Sequence, residues 1–185
     1  MQVVFYASAR QIGASANLAA ISAGLMHYFK IPVYLGTAQA SEEMRSDKIF
    51  LKEGGAVPQT EESFSSCDLL VLNLAIPCQE LSYVCFRHFF VRENVMFLVG
   101  KYHKNQSEQL KQFLRYYRVD ASKLCTVPYN LRFAKAYEDR QVFSYVAGSR
   151  GRDKSCEDYI FEKQLRQTVK KLLIYANRKG DINYG

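Results

Sequence analysis

The sequence lacks the features that would assign it at once to several classes of protein. No apolar run approaches the ~18 residues of a membrane-spanning helix, and the first residues have neither the basic start nor the apolar stretch of a signal peptide. The five cysteines contain no CxxC pair and no zinc-ligand spacing. The expected location is therefore a reducing cytoplasm, with recruitment to the inner face of the membrane left open.

Catalytic constellations are also missing from the sequence. The three histidines are far apart along the chain, and no Ser/His/Asp order or pair of acidic residues has the pattern of a catalytic site. We therefore assign no catalytic residue and no metal ligand from the residues alone.

The charge of the chain is uneven. The net charge is +7, and the excess of Lys and Arg over Asp and Glu lies after Ser66. Much of this excess falls in or just after the last predicted helix, at Lys163, Arg166, Lys170, Lys171, Arg178 and Lys179. Such a helix face is usually solvated, but it also suits nonspecific DNA or an anionic membrane. We favour packing of this helix on a sheet, because a parallel sheet needs both of its faces covered.

Short apolar segments alternate with helical patterns along the chain. The predicted strands are 3–6, 32–35, 68–74, 95–99 and 124–127, and the predicted helices are 15–29, 79–91, 106–117, 131–139 and 158–177. The alternation predicts a single α/β domain over residues 1–185, with a doubly wound, mostly parallel sheet and helices on both faces. This is the plan of a P-loop nucleotide-binding protein.

Individual segments refine this prediction. The run 68–74 is almost wholly apolar, which predicts a central strand, and Gly100 is expected to end the strand 95–99. Residues 37–66 are polar and irregular, so we interpret them as an insertion or a small edge element, with a short helix near 41–45. Residues 147–158 are interpreted as a loop.

The segment between the first strand and the first helix matches a phosphate-binding loop only in part. The full loop reads G-x-x-x-x-G-K-[ST], and only Gly13 and Ser15 fit it, because Ser8 replaces the first glycine and Ala14 replaces the lysine. The backbone N–H groups at a helix start attract anions even without a lysine. We therefore favour a site that is empty or holds an anion, with weak ATP or ADP binding as the alternative and no cofactor required. The candidate binding residues are Arg10, Gln11, Ile12, Gly13, Ala14, Ser15 and Ala16.

Four segments together resemble the ParA/MinD family of deviant P-loop ATPases, over about residues 1–175. Residues 9–20 resemble the family's phosphate loop and the Leu-Ala helix after it, and residues 67–74 resemble its Walker B strand. Residues 98–102 resemble the strand and loop that often carry a base-contacting Asn, and residues 127–130 resemble its I-P-Y/D segment. Among the branches of this family, the short CpaE/TadZ-like proteins of Flp/Tad pilus assembly are the most similar.

The resemblance also implies that the catalytic groups are lost. The family's signature lysine would fall at Ala9, its Walker lysine at Ala14 and its Walker B aspartate at Asn73. Its second-strand aspartate would fall near Gly36 or Thr37. Phosphoryl transfer depends on charge neutralisation, so these departures imply a chain that does not hydrolyse nucleotide.

The function that follows is a localisation or assembly factor for pilus or secretion machinery, with protein partners and a homodimer that would lack the nucleotide clamp. Two alternatives stay open. One is an unorthodox ATPase in which Arg10 or a partner's lysine supplies the charge, and the other is nonspecific DNA binding as in partition ATPases.

Overall fold

The computed structural model describes residues 2–7, 13–36, 50–52, 67–74, 93–148 and 155–177. Its strands are β1 (Val3–Ala7), β2 (Tyr34–Gly36), β3 (Phe50–Lys52), β4 (Leu69–Leu74), β5 (Val95–Tyr102) and β6 (Leu124–Pro128). Its helices are α1 (Ala14–Phe29), α2 (Ser107–Tyr117), α3 (Leu131–Glu138), α4 (Val142–Ala147) and α5 (Glu157–Asn177). The predicted helices at 41–45 and 79–91 lie outside the described residues.

The main sheet is parallel throughout. Its strand order is β1-β4-β5-β6, and the register places Val3 opposite Leu69 and Leu72 opposite Phe97. Every residue of β4 is buried, which confirms the prediction of a central strand. The strands β2 and β3 pair in parallel as a separate two-stranded sheet, so the part of the predicted polar insertion that the structure describes, residues 50–52, is a short strand.

Helices cover both faces of the main sheet, because alternate residues of its strands point to opposite sides. Leu69 and Val71 of β4 pack in one core with side chains of α1, α3, α4 and α5. Leu70 and Leu72 pack in a second core with Phe113 of α2 and its neighbours. The described elements therefore form an α/β fold with an all-parallel four-stranded sheet between two helical layers.

The long helix α5 packs on the sheet through its apolar stripe. Phe161, Leu165, Val169 and Leu172 are buried in the core that α5 shares with α1. Ile160, in the first turns of the same helix, is 37% exposed. Within the part of the chain that the structure describes, no helix is both long and apolar enough to cross a membrane.

One predicted boundary is wrong, and one helix was not predicted. The strand β5 does not end at Gly100 but continues to Tyr102, with a shift of register against β6 between Val99 and Tyr102. The bulge explains the error, because an irregular strand can accommodate a glycine that would otherwise mark its end. The sequence also gave no signal for α4, a six-residue helix whose Val142 and Val146 are buried in the core.

The contact between α1 and α5 depends on Gly24. A Cβ atom at this position would lie 2.8 Å from Cγ2 of Val169. Alanine in mid-helix gains about 1 kcal/mol over glycine, whereas overpacking a core costs about 1–3 kcal/mol. We therefore expect Gly24→Ala to lower the free energy of unfolding by about 1 kcal/mol in a urea titration.

The matched test for this contact is the same change in a Val169→Ala background. There the clash is gone, so Gly24→Ala should be neutral or stabilising relative to Val169→Ala alone. An equal loss of stability in both backgrounds would show that Val169 is not the side chain that excludes a methyl group.

Candidate functional site

The start of α1 lies at the carboxyl edge of the sheet, directly after the segment that follows β1. Gly13 caps the helix with φ 78 and ψ 22, a left-handed conformation that favours glycine. Ala14, Ser15 and Ala16 form the first turn, and Asn17 N–H donates to the Gly13 carbonyl at 2.9 Å. The other three candidate loop residues, Arg10, Gln11 and Ile12, lie outside the described residues, as does Ala9.

Lys101 lies against this helix start, which the sequence did not predict. The bulge in β5 gives Lys101 a positive φ of 50, and a Cβ atom placed on Gly13 would lie 3.2 Å from Cε of Lys101. Its aliphatic stem therefore contacts the loop glycine and brings an amine to the positive end of the α1 dipole. The sequence did contain one usable signal, a Gly-Lys pair at the end of a buried strand. All strands of a parallel sheet end at the same edge, so a lysine at this place is brought near the start of α1.

Beneath the helix start, Asn17 of α1 and Asn73 of β4 form a buried amide pair. Asn17 Nδ2 donates to Asn73 Oδ1 at 3.2 Å, and Asn73 Nδ2 donates to the Tyr6 carbonyl of β1 at 3.4 Å. The two side chains are 3% and 1% exposed. Buried polar groups are stable only when they are hydrogen-bonded, so the pair joins α1, β4 and β1 without any charge.

Gly100 of β5 makes room for this pair. A Cβ atom at Gly100 would lie 2.1 Å from Asn17 Nδ2 and 2.7 Å from Asn17 Oδ1. No side chain larger than hydrogen fits between β5 and Asn17 as they stand. The glycine that was expected to end a strand therefore serves to seat α1 on the sheet.

A second buried polar cluster lies after β6, around the carboxylate of Asp158 at the start of α5. Its Oδ1 accepts from Asn130 Nδ2 at 2.9 Å and from the Tyr145 hydroxyl at 3.0 Å, and its Oδ2 accepts from Arg132 Nη1 at 2.8 Å. Asn130 also caps α3, because its Oδ1 accepts from Phe133 N–H at 2.7 Å. The cluster therefore ties α3 and α4 to the start of α5.

The end of β6 is held beside the end of β5. Tyr129 N–H donates to the Tyr102 carbonyl at 2.9 Å, and the rings of His103 and Tyr129 stack with centroids 5.0 Å apart and an angle of 28° between their planes. Residues from two of the resembling segments, 98–102 and 127–130, thus meet at the edge where α1 begins. This is the edge at which open parallel sheets bind ligands.

Among the described residues, other groups whose type or place in the fold suggests a part in the site's chemistry do not extend the edge described above. Gly36, one of the positions considered for the second-strand aspartate, pairs with Lys52 in the separate β2–β3 sheet, and Thr37 lies outside the described residues. Burial raises the pKa of the Cys125 thiol to about 11, so this group on β6 is a neutral thiol near pH 7 and not a nucleophile. Among the residues that the structure describes, no group of three His, Cys, Asp or Glu side chains is placed to hold a metal ion.

Comparison with known proteins adds no relative. A scan against protein-family profiles finds no match, and a search of curated protein sequences finds none either. Function must therefore be argued from the carboxyl edge itself. Its chemistry consists of backbone N–H groups at a helix start, the amine of Lys101, a neutral amide pair below them and an exposed aromatic stack beside them.

Proposed function

We propose that this chain is a catalytically degenerate P-loop-type protein, similar to the ParA/MinD family, that acts as a localisation or assembly factor. The machinery that it would serve is that of pilus assembly or secretion. The observation that carries the proposal is the buried pair of Asn17 and Asn73, which occupies the position where the resemblance expects a metal-binding carboxylate.

The amide pair is unsuited to the work of a Walker B aspartate. A carboxylate there would bring a negative charge close to magnesium, which neutralises the phosphates during phosphoryl transfer. Asn73 has no charge, and both ends of its amide are already used by Asn17 and the Tyr6 carbonyl. Because the Asn73 side chain is fully used in holding α1 on the sheet, it supports a role in binding partners over a role in hydrolysis.

Lys101 supports a second candidate, an unorthodox ATP-binding protein of the partition type. Its amine comes from β5 and not from the loop, yet its stem contacts Gly13 at the start of α1. A cation at that place would assist the binding of a phosphate group. The exposed basic residues of α5, Lys163, Arg166 and Lys170, would then be available for the nonspecific DNA binding of such proteins.

Phosphate release from ATP separates the two candidates. We expect the wild-type chain with Mg²⁺ to release no phosphate above the buffer rate, even at high protein concentration, because the loop lysine and the carboxylates are absent. Any weak affinity for ATP, measured by calorimetry, should fall about tenfold in Lys101→Ala, through the loss of one charged contact.

Lys111→Ala is the matched control, because Lys111 is an exposed lysine on α2 that pairs only with Glu108 among the ion pairs of the described residues. It should leave both measurements unchanged. Phosphate release well above buffer in the wild type that disappears in Lys101→Ala but not in Lys111→Ala would overturn the assembly proposal in favour of the ATPase. Loss of pili or secretion in cells without the chain, restored by a wild-type chain that releases no phosphate, would support the assembly role.

A further inference from the structure

Three exposed side chains form an apolar surface at the carboxyl edge, which we call the edge patch: His103, Tyr129 and Leu131. The ring of His103 stacks on Tyr129, which is 45% exposed, and Leu131 is 67% exposed. Asn130 between them is extended and buried, so Tyr129 and Leu131 point to the same side of the chain, away from the core. Leu131 and the stacked pair of His103 and Tyr129 therefore offer exposed aliphatic and aromatic groups, with Leu131 two residues after Tyr129 along the chain, and such groups mark contact surfaces where they are contiguous.

The surroundings of the edge patch are positively charged. Lys101 and Lys104 flank His103, and Arg132 and Lys135 follow Leu131, whereas the segments 95–107 and 124–137 contain no Asp or Glu. The carboxylate of Asp158 contacts the second of these segments, but it is buried and already accepts a hydrogen bond from Arg132. No ion pair joins Lys101 or Lys104 to a carboxylate of any described residue.

We propose that the edge patch is a docking site for an acidic segment of a partner protein that carries an aromatic or aliphatic side chain. The proposal rests on the proposed function as an assembly factor and names the chemistry of its partner. Leu131 and the open side of Tyr129 would receive the apolar side chain, and Lys101 and Lys104 would pair with carboxylates on either side of it. Tyr is among the residue types that are enriched at protein interfaces and among the residues that contribute most of their binding energy.

A peptide fits these groups better than a nucleotide does. One side of the Tyr129 ring is already covered by His103, and Leu131, which is 67% exposed, offers no ring on which a base could stack. An aliphatic contact surrounded by cations instead matches a segment in which apolar and acidic residues alternate.

The test uses a short fluorescent peptide in which glutamates alternate with leucine and phenylalanine, added to the full chain and followed by anisotropy. We expect saturable binding that weakens with salt, and about tenfold weaker binding in each of Leu131→Ser, Tyr129→Ser and Lys104→Glu. These positions are exposed, so the variants should keep the fold, which circular dichroism checks. The same peptide with lysine for glutamate, or with serine for its apolar residues, should bind much more weakly.

Matched variants elsewhere on the surface control for general stickiness and charge. Tyr116 on α2 is 72% exposed, and Lys170 on α5 is an exposed lysine remote in sequence from the patch. Tyr116→Ser and Lys170→Glu should bind the peptide as the wild type does. Equal weakening in these controls, or no saturable binding to the wild type, would overturn the proposal.

Two further outcomes are informative. Displacement of the peptide by ATP, with ATP affinity lost in Tyr129→Ser and Leu131→Ser, would assign the edge patch to a nucleotide and overturn docking. Phosphate release by a chain that still binds the peptide through the patch would contradict the proposed function while supporting the docking site, so the two failures are distinguishable.

Discussion

Replacement of Gly100 by alanine should lower the free energy of unfolding by about 3 kcal/mol, at the upper end of the usual cost of overpacking a core. The new methyl group would lie 2.1 Å from Asn17 Nδ2. Asn17 would have to move, and its hydrogen bond to Asn73 would be lost inside the core, where an unsatisfied polar group costs about 1–3 kcal/mol. Urea denaturation followed by circular dichroism measures the change.

Gly148→Ala provides the matched control for this prediction. Gly148 ends α4 on the surface with φ −79, and its nearest neighbour for a Cβ atom is the Ser144 carbonyl at 3.1 Å. Its replacement should change stability by no more than about 1 kcal/mol.

A second control removes the obstructing Asn17 side chain. The clash is then relieved, so Gly100→Ala should cost much less in an Asn17→Ala background. Fully additive losses would mean that Asn17 is not what excludes a side chain at Gly100.

Replacement of Asp158 by alanine should have an effect of similar size, about 3 kcal/mol. The change removes the acceptor of hydrogen bonds from Asn130, Tyr145 and Arg132. It leaves the Asn130 donor inside the protein, whereas the Tyr145 hydroxyl keeps Asn130 Oδ1 at 3.1 Å as an acceptor. The Arg132 side chain is 79% exposed and can return to water, so its share of the loss is small. Thermal or urea unfolding of the purified chain tests this.

Glu157→Ala is the control for the helix start, because Glu157 is the exposed residue before Asp158 in the first turn of α5. It should lower the free energy of unfolding by only about 0.3–1 kcal/mol, the usual contribution of an acidic residue near a helix N-terminus. Asp158→Asn keeps the shape and one acceptor, so it should fall between the two. If Glu157→Ala and Asp158→Ala lowered the free energy of unfolding equally, the dipole of α5 would explain the loss, and the hydrogen bonds of Asp158 would not.

The elements with a strong local signal were predictable from the sequence. The apolar run of β4 identified the central strand, and the spacing of Leu18, Ile21 and Leu25 identified α1. The first signal arises because a strand that is buried on both faces is apolar throughout, and the second because the packed side of a helix repeats every three or four residues. The short helix α4 has too few residues to show a period, and only its contacts with the core hold it in place.

The candidate site was predictable only in part. Gly13 was recognised because it stands between a strand and a helix, but the approach of Lys101 to it joins residues far apart in the chain and depends on a bulge in β5. The role of Asn130 as a helix cap was likewise overlooked, although an Asn directly before a helical pattern is a known start signal. Contacts set by tertiary structure leave little trace in local sequence.

The buried amides of Asn17 and Asn73 have a consequence for regulation. Neither side chain gains or loses a proton in the range where proteins are folded, and neither attracts a counterion. The seat of α1 on the sheet is therefore indifferent to acidity, to ionic strength and to divalent cations. A carboxylate in place of the Asn73 amide would have made the packing of α1 on the sheet depend on pH, on ionic strength and on divalent cations. The packing of α1 on the sheet through these amides instead stays the same as conditions change, which suits the fixed scaffold that we propose.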